Sequence, residues 1–422
     1  MPRFRPIDRD LPLERPLSLQ DWLPEGHLAR YVVEVVEALD LSALIQAYAG
    51  RGSLPYHPAM MLSLLIYGYA TGCDSSRRIA LATFDSVAFR FIAGNQHPDH
   101  DSLATFRRRF RVEFEAVFIQ VLEVARENQL SRFGRVSLDG TKIHANASRH
   151  SALSYKHAQT IEAQLKADVQ DLLALAEQTD GRNVPEGMIV PEELQRREAR
   201  LAAIAEAKRQ IEARAAERYA REQAADEAKL AARAAKAAAS GRKPGGKAPK
   251  APSPAPRADD QINLTDDESR IMHVAGGGFE QCDNAQAVVD TESMLITVAQ
   301  VTQAANDKEP VAPMVERLQA LPEGLSQPEE FVADNGYFSE RNVAVCENAG
   351  IVPLIAMKRE EHHPHWSERF SEPDEAPPPE ATPVARLAHR LKTRAGRAAD
   401  ALRKQTVEPV FGIIKSVMGF RQ

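Results

Sequence analysis

Cysteine is scarce in this chain: three in 422 residues, Cys73, Cys282 and Cys346, too far apart to make a zinc ribbon or a disulfide framework. They read as small buried hydrophobes. Equally missing is any apolar run near the roughly 20 residues that span a bilayer, and the start Met1-Pro2-Arg3-Phe4-Arg5-Pro6 lacks the apolar segment of a signal peptide. The expected location is therefore the cytoplasm, with no membrane partner. Positive charge is also short, since the formal net charge is -6. Net charge, however, averages over surfaces that never meet a polyanion, so local sign decides. Between Arg386 and Gln422 the bases Arg386, Arg390, Lys392, Arg394, Arg397, Arg403, Lys404, Lys415 and Arg421 stand against only Asp400 and Glu408. What the chain does have is length and a 43% hydrophobic content, enough for two or three domains with a real core.

Up to about residue 130 the pattern is helical. Leu28, Tyr31, Val32, Val35, Val36 and Leu39 recur at helical spacing. His57-Pro58 opens a further helix, because proline at the first position loses no hydrogen bond. Ser75 and Ser102 are candidate caps for the segments that follow them. From Ile161 to about Ala239 the composition turns to alanine, glutamate, arginine and lysine, with Leu194, Leu201, Ile204 and Ile211 on one seam. That stretch reads as a helical hairpin or, equally, as a solvated charged helix. The run from Gly241 to Arg257 holds no acid and is broken by proline and glycine, as expected of a tether.

Strand patterns return in Ala287 to Asp290 and Leu295 to Val301, which read as a hairpin. A helix from about Pro310 to Leu321 follows, then a strand through Phe331-Val332-Ala333, a Ser339-capped helix, and a strand at Ile351 to Ile355. His362-His363-Pro364-His365 has transition-metal ligands but sits in a polar, proline-bearing loop, where exposure is the simpler explanation.

Three carboxylates stand out. Asp139 ends the apolar stretch Val136-Ser137-Leu138, and Asp334 ends Phe331-Val332-Ala333, so each reads as an aspartate at the carboxyl end of a short buried strand. Glu408 and Lys415 are spaced by two helical turns, which puts a carboxylate and an ammonium on one face. Taken singly, such aspartates are turn residues or caps, and Glu408-Pro409 is a possible helix start. Together, two strand-end aspartates and a helix-borne glutamate make a cage for a hard divalent cation.

These segments, with Tyr56 to Tyr69, Val87 to Asn95 and His97 to Phe110, resemble the DDE transposases of bacterial insertion sequences, in the group with a Tyr-Arg-Glu-Lys helix motif. The resemblance implies an α/β fold: an RNase-H-like mixed-sheet core interrupted by a helical hairpin insertion and preceded by an all-α DNA-binding domain. Residues 1–130 would form that helical domain, 131–158 and 261–422 the core, 159–240 the hairpin and 241–260 the basic linker. It implies that Asp139, Asp334 and Glu408 are catalytic and hold two Mg2+ ions, with Mn2+ an alternative. Arg403, Lys404, Lys415, Arg107, Arg108 and Arg109 would contact DNA. The implied partners are terminal inverted repeats, target DNA and further copies of the chain. Asn306-Asp307 resembles a segment near the family's active site, though a turn explains it more simply. Asp400 replaces the motif's tyrosine, where a carboxylate on the DNA-facing side would repel phosphate, and the chain ends soon after the motif. Two other readings remain open: a catalytically defective DNA-binding relative, and a helical scaffold without DNA chemistry.

Overall fold

The computed structural model describes residues 18–48, 54–177, 188–240, 251–274, 277–357, 372–373, 377–378 and 380–420. The linker residues 241–250 and the histidine cluster at 362–365 lie outside them. Two compact units divide the chain: Met1–Thr141 with Ala285–Gln300 and Asn306–Arg421, and Lys142–Asn284 with Val301–Ala305.

The first unit opens with helices α1 (Leu19–Trp22), α2 (Leu28–Ala38), α3 (Ser42–Gln46), α4 (Pro58–Ala70), α5 (Ser76–Asp85), α6 (Val87–Ile92), α7 (His100–Arg109) and α8 (Arg111–Glu127). Pro58 occupies the first turn of α4, and the His57 ring accepts from the Ala59 N–H. The α4 helix is apolar on nearly every side, which marks a central helix. Met61, Leu62, Leu64, Leu65 and Tyr67 are buried in one core with Val32 and Val36 of α2. Burial of each such side chain contributes about 1.5–3 kcal/mol. The structure corrects one cap: Asp99, not Ser102, begins α7, accepting from the Ser102 N–H at 2.7 Å. The single helix expected over Leu103 to Phe118 is broken at Phe110, which is buried between α7 and α8.

The rest of the first unit is a mixed sheet covered by helices. Its strands are β1 (Arg135–His144), β5 (Phe279–Asp290), β6 (Ile296–Thr302), β7 (Glu330–Ala333) and β8 (Val352–Ile355). Their order is β6-β5-β1-β7-β8. β1, β7 and β8 run parallel. β5 runs antiparallel to β1, with the Thr291 N–H bonded to the Arg135 carbonyl and the Ala145 N–H to the Gln281 carbonyl. Side chains alternate along β1. Val136 and Leu138 join the core formed with α11 (Val311–Gln319) and α12 (Glu340–Asn348). Ser137, Asp139 and Thr141 point to the opposite face. That face is covered by α14 (Arg394–Gly412), which follows α13 (Pro383–Lys392). β5 begins eight residues before the expected strand, at Phe279 rather than Ala287. Its alternating polar residues, Gln281 to Gln286, hid it.

In the second unit, β2 (Ala152–Ser154) pairs antiparallel with β3 (Gln261–Asn263), and β4 (Arg270–His273) pairs with the first residues of β5. Helices α9 (Tyr155–Glu177) and α10 (Val190–Ser240) pack as a hairpin. Ala158, Ile204, Ala207 and Ile211 form the seam with Leu153 and Ile262. Lys208 pairs with Glu162 at 2.6 Å across it. Among the described residues, no helix is long and apolar enough to cross a membrane.

Candidate active site

The parallel pairing of β1 with β7 runs Arg135↔Glu330 to Leu138↔Ala333. The next residue on each strand is Asp139 and Asp334, so the register alone sets two carboxylates side by side. Here the structure departs from the sequence reading. Asp334 does lie past the end of its strand and enters a 3₁₀ turn, accepting from the Gly336 N–H at 2.8 Å. Asp139 is not a strand end, because β1 continues to His144. The antiparallel partner β5 supports that continuation, and a two-sided edge gives β1 bonds beyond the point where β7 stops.

The opposite face holds this pair in place. Residue Gly140 sits against Gln286, and a Cβ added there would lie 2.0 Å from the Gln286 Nε2. The Gln286 Oε1 accepts from the buried Tyr337 hydroxyl at 2.7 Å. Burial, followed by the charges of Asp139, Asp307 and Asp334, holds the Tyr337 phenol far above its usual range, so it remains a neutral donor. Burial also pushes the Asp139 carboxyl up to about 6. Its bond from the Gly140 N–H, 2.8 Å long, opposes that shift, as does the charge of Arg403, whereas Asp334 and Asp307 add to it.

Asp307 is the residue the sequence reading passed over as a turn. A Cβ on Gly336 would lie 3.0 Å from the Asp334 Oδ1 and 3.5 Å from the Asp307 Oδ2, so both carboxylates flank one point. The turn itself is held by Asn306, whose Oδ1 accepts from the Lys308 and Glu309 N–H groups. Its signal lay in the polar pair Asn306-Asp307, a few residues beyond the end of β6 at Thr302. Three neighbouring carboxylates, one of them destabilised by burial and like charge, are a donor set that a hard divalent cation would neutralise.

Helix α14 crosses above them. Ala399 packs with Val332 of β7 and Leu354 of β8, while Val407, Val410 and Phe411 pack with Ala287 and Val289 of β5. Arg403, one turn from each contact, therefore passes over β1. Asp400 is buried beside it and pairs with it, Arg403 Nε to Asp400 Oδ1 at 3.6 Å. This corrects the expectation of a carboxylate presented to DNA. The Arg403 Nε makes no hydrogen bond among the described residues. A buried donor left in that state costs about 1–3 kcal/mol. Beyond α14 the chain widens into a π-helical turn, Ile413–Val417, and the Lys415 ammonium reaches the Thr141 hydroxyl, two residues on from Asp139. Glu408 is exposed on α14. The structure thus brings Asp139, Asp334, Arg403 and Lys415 to one face. Among the described residues it does not close three His, Cys, Asp or Glu side chains into a metal-binding group. The Lys404 side chain lies outside the described residues.

Of the α7 arginines, Arg107 donates to the Tyr69 hydroxyl at 2.9 Å. Arg109 donates to the Ala47 carbonyl and lies over the Tyr48 and Phe110 rings. Arg108 is exposed.

A helical module ahead of a mixed α/β core with two neighbouring aspartates is consistent with an RNase-H-like transposase. Residues 17–109 match the family model described as a Transposase domain (DUF772), and residues 252–422 match the Transposase DDE domain. Together the two stretches span well over half of the chain, and it belongs to the DDE transposases of insertion sequences. That family works on DNA by nuclease and transesterification chemistry, generally with divalent metal ions. No curated protein and no solved structure matches the chain.

Proposed function

We propose that this transposase binds the terminal inverted repeats of its own element, cuts there, and joins the freed 3′ ends to target DNA. The observation that supports it most is the β1–β7 register that sets Asp139 beside Asp334. In this reading Asp139, Asp334 and Glu408 would hold the divalent cations, Mg2+ or Mn2+, with Asp307 adding negative charge beside Asp334. The bound cations would lower the pKa of the attacking hydroxyl and neutralise the leaving oxygen. Lys415 and Arg403 take phosphate oxygens on the α14 face, and the helical domain with Arg107, Arg108, Arg109 and Lys404 contributes further to DNA binding. Domain boundaries follow the sequence reading, the acting form is a homo-oligomer on DNA, and the setting is the cytoplasm.

The test is nicking of a duplex carrying the element's terminal sequence. Cutting should require Mg2+ or Mn2+, stop with chelator, and vanish in Glu408→Ala while duplex binding persists. Undiminished cutting by Glu408→Ala would remove Glu408 from the ligand set.

Cation binding should also depend on pH. A proton occupies Asp139 below about 6, so Mn2+ affinity is expected to fall as the pH drops from 7.5 to 5. Titration followed by electron paramagnetic resonance reads this directly, and an affinity flat over that range contradicts it.

A further inference from the structure

We propose that Asp400 is a positioning residue: it holds the Arg403 guanidinium over β1, ready for a DNA phosphate at the carboxylate site. The inference rests on the DNA-binding role proposed above for Arg403. Three observations carry it. First, both side chains of the pair are largely withdrawn from solvent, 12% exposed for Asp400 and 15% for Arg403, so their attraction is little screened. Second, the helix that bears them is pinned on both sides, by Ala399 against β7 and β8 and by Val407 against β5. The arginine therefore has few places to go other than above β1. Third, Asp400 and Arg403 are separated by a single helical turn and meet at 3.6 Å, longer than a hydrogen bond, which leaves the Arg403 Nε directed by charge without a hydrogen bond that would consume it. An aligned cation with donor capacity in hand binds phosphate with less reordering than a mobile one. A carboxylate that looks repulsive in the sequence thus acts on DNA through its neighbour.

Asp400→Asn, Arg403→Gln and the double variant discriminate this from a purely structural role. Binding of a duplex carrying the element's terminal sequence is measured by fluorescence anisotropy over a range of salt, with Ca2+ present, and thermal melts check folding. Arg403→Gln should weaken binding about tenfold and reduce the salt slope by about one, the signature of one lost phosphate contact. Asp400→Asn should show most of that loss and the same change in slope. The double variant should be no weaker than Arg403→Gln, because the two act as one unit. Asp400→Glu, which restores the charge, should recover binding; it is also the folded control if Asp400→Asn melts early.

Losses that multiply in the double variant, or a silent Asp400→Asn beside a weakened Arg403→Gln, overturn the positioning role and leave the arginine's role intact. An Arg403→Gln that binds as the parent does, with the same salt slope, overturns both.

Discussion

Asp139→Asn is expected to make the metal-free protein more stable at pH 8 and to reduce cutting of the end duplex by at least about a thousandfold. The two effects share one cause. The carboxyl of Asp139 has its ordinary value of 3.8 raised to about 6, mainly by burial. With the folded-state value raised, the group's contribution to stability is fully present below about 4 and is lost as the pH rises through about 6. Above that pH the folded chain must carry a buried charge beside Asp334 and Asp307, a penalty of roughly 2–3 kcal/mol. An amide removes the penalty and with it the charge a cation needs. Denaturation of parent and variant at pH 5 and pH 8, without metal, should show a gap that is present at pH 5 and widens at the higher pH. Equal stability at both would mean that Asp139 is solvated and is not part of a cation site.

Gly396→Ala is expected to lower stability by about 1–3 kcal/mol and cutting by about a hundredfold. A Cβ at Gly396 would lie 1.9 Å from the Arg390 carbonyl oxygen and 2.8 Å from its carbon, both backbone atoms of α13. No rotamer change relieves that overlap. The first turn of α14 is pinned here, with the Thr393 hydroxyl donating to the Arg390 carbonyl at 2.7 Å and accepting from the Gly396 N–H at 3.0 Å. Any side chain must push α14 away from α13, and α14 bears Asp400, Arg403 and Glu408. Chemical denaturation reads the first effect and single-turnover cutting the second. A variant as stable and as fast as the parent would show that the α13–α14 corner has room to spare.

The fold was legible where side chains repeat with a clear period. The helical amino-terminal region followed from apolar spacing and from Pro58, and the mixed sheet followed from short apolar runs such as Phe331-Val332-Ala333. Boundaries were less legible where the partner element decides them. β1 runs past Asp139 because β5 lies along it, and nothing in Gly140-Thr141-Lys142 announces that neighbour. The same holds for the site. Asp139 and Asp334 could be picked out as carboxylates after apolar strands, whereas Asp307 was legible only through its segment's resemblance, since its approach to Gly336 is made by two turns distant in the chain. Asp400 was misjudged for a related reason: helical spacing gives the face, and only packing against β7, β8 and β5 tells which face is buried.

The register between β1 and β7 also fixes when the pair of aspartates can first come together. Arg135 pairs with Glu330 across 195 residues of chain, and Lys415 meets Thr141 across 274. During synthesis the strand that bears Asp139 leaves the ribosome early and waits while the hairpin and most of the core are made. Its partner aspartate arrives later, and the helix with Arg403 and Glu408 later still. Contacts of that separation form slowly, and domains fold as the chain emerges. Until Lys415 has emerged and its helix has closed over the sheet, a nascent chain carries Asp139 without the partners that the folded sheet sets around it.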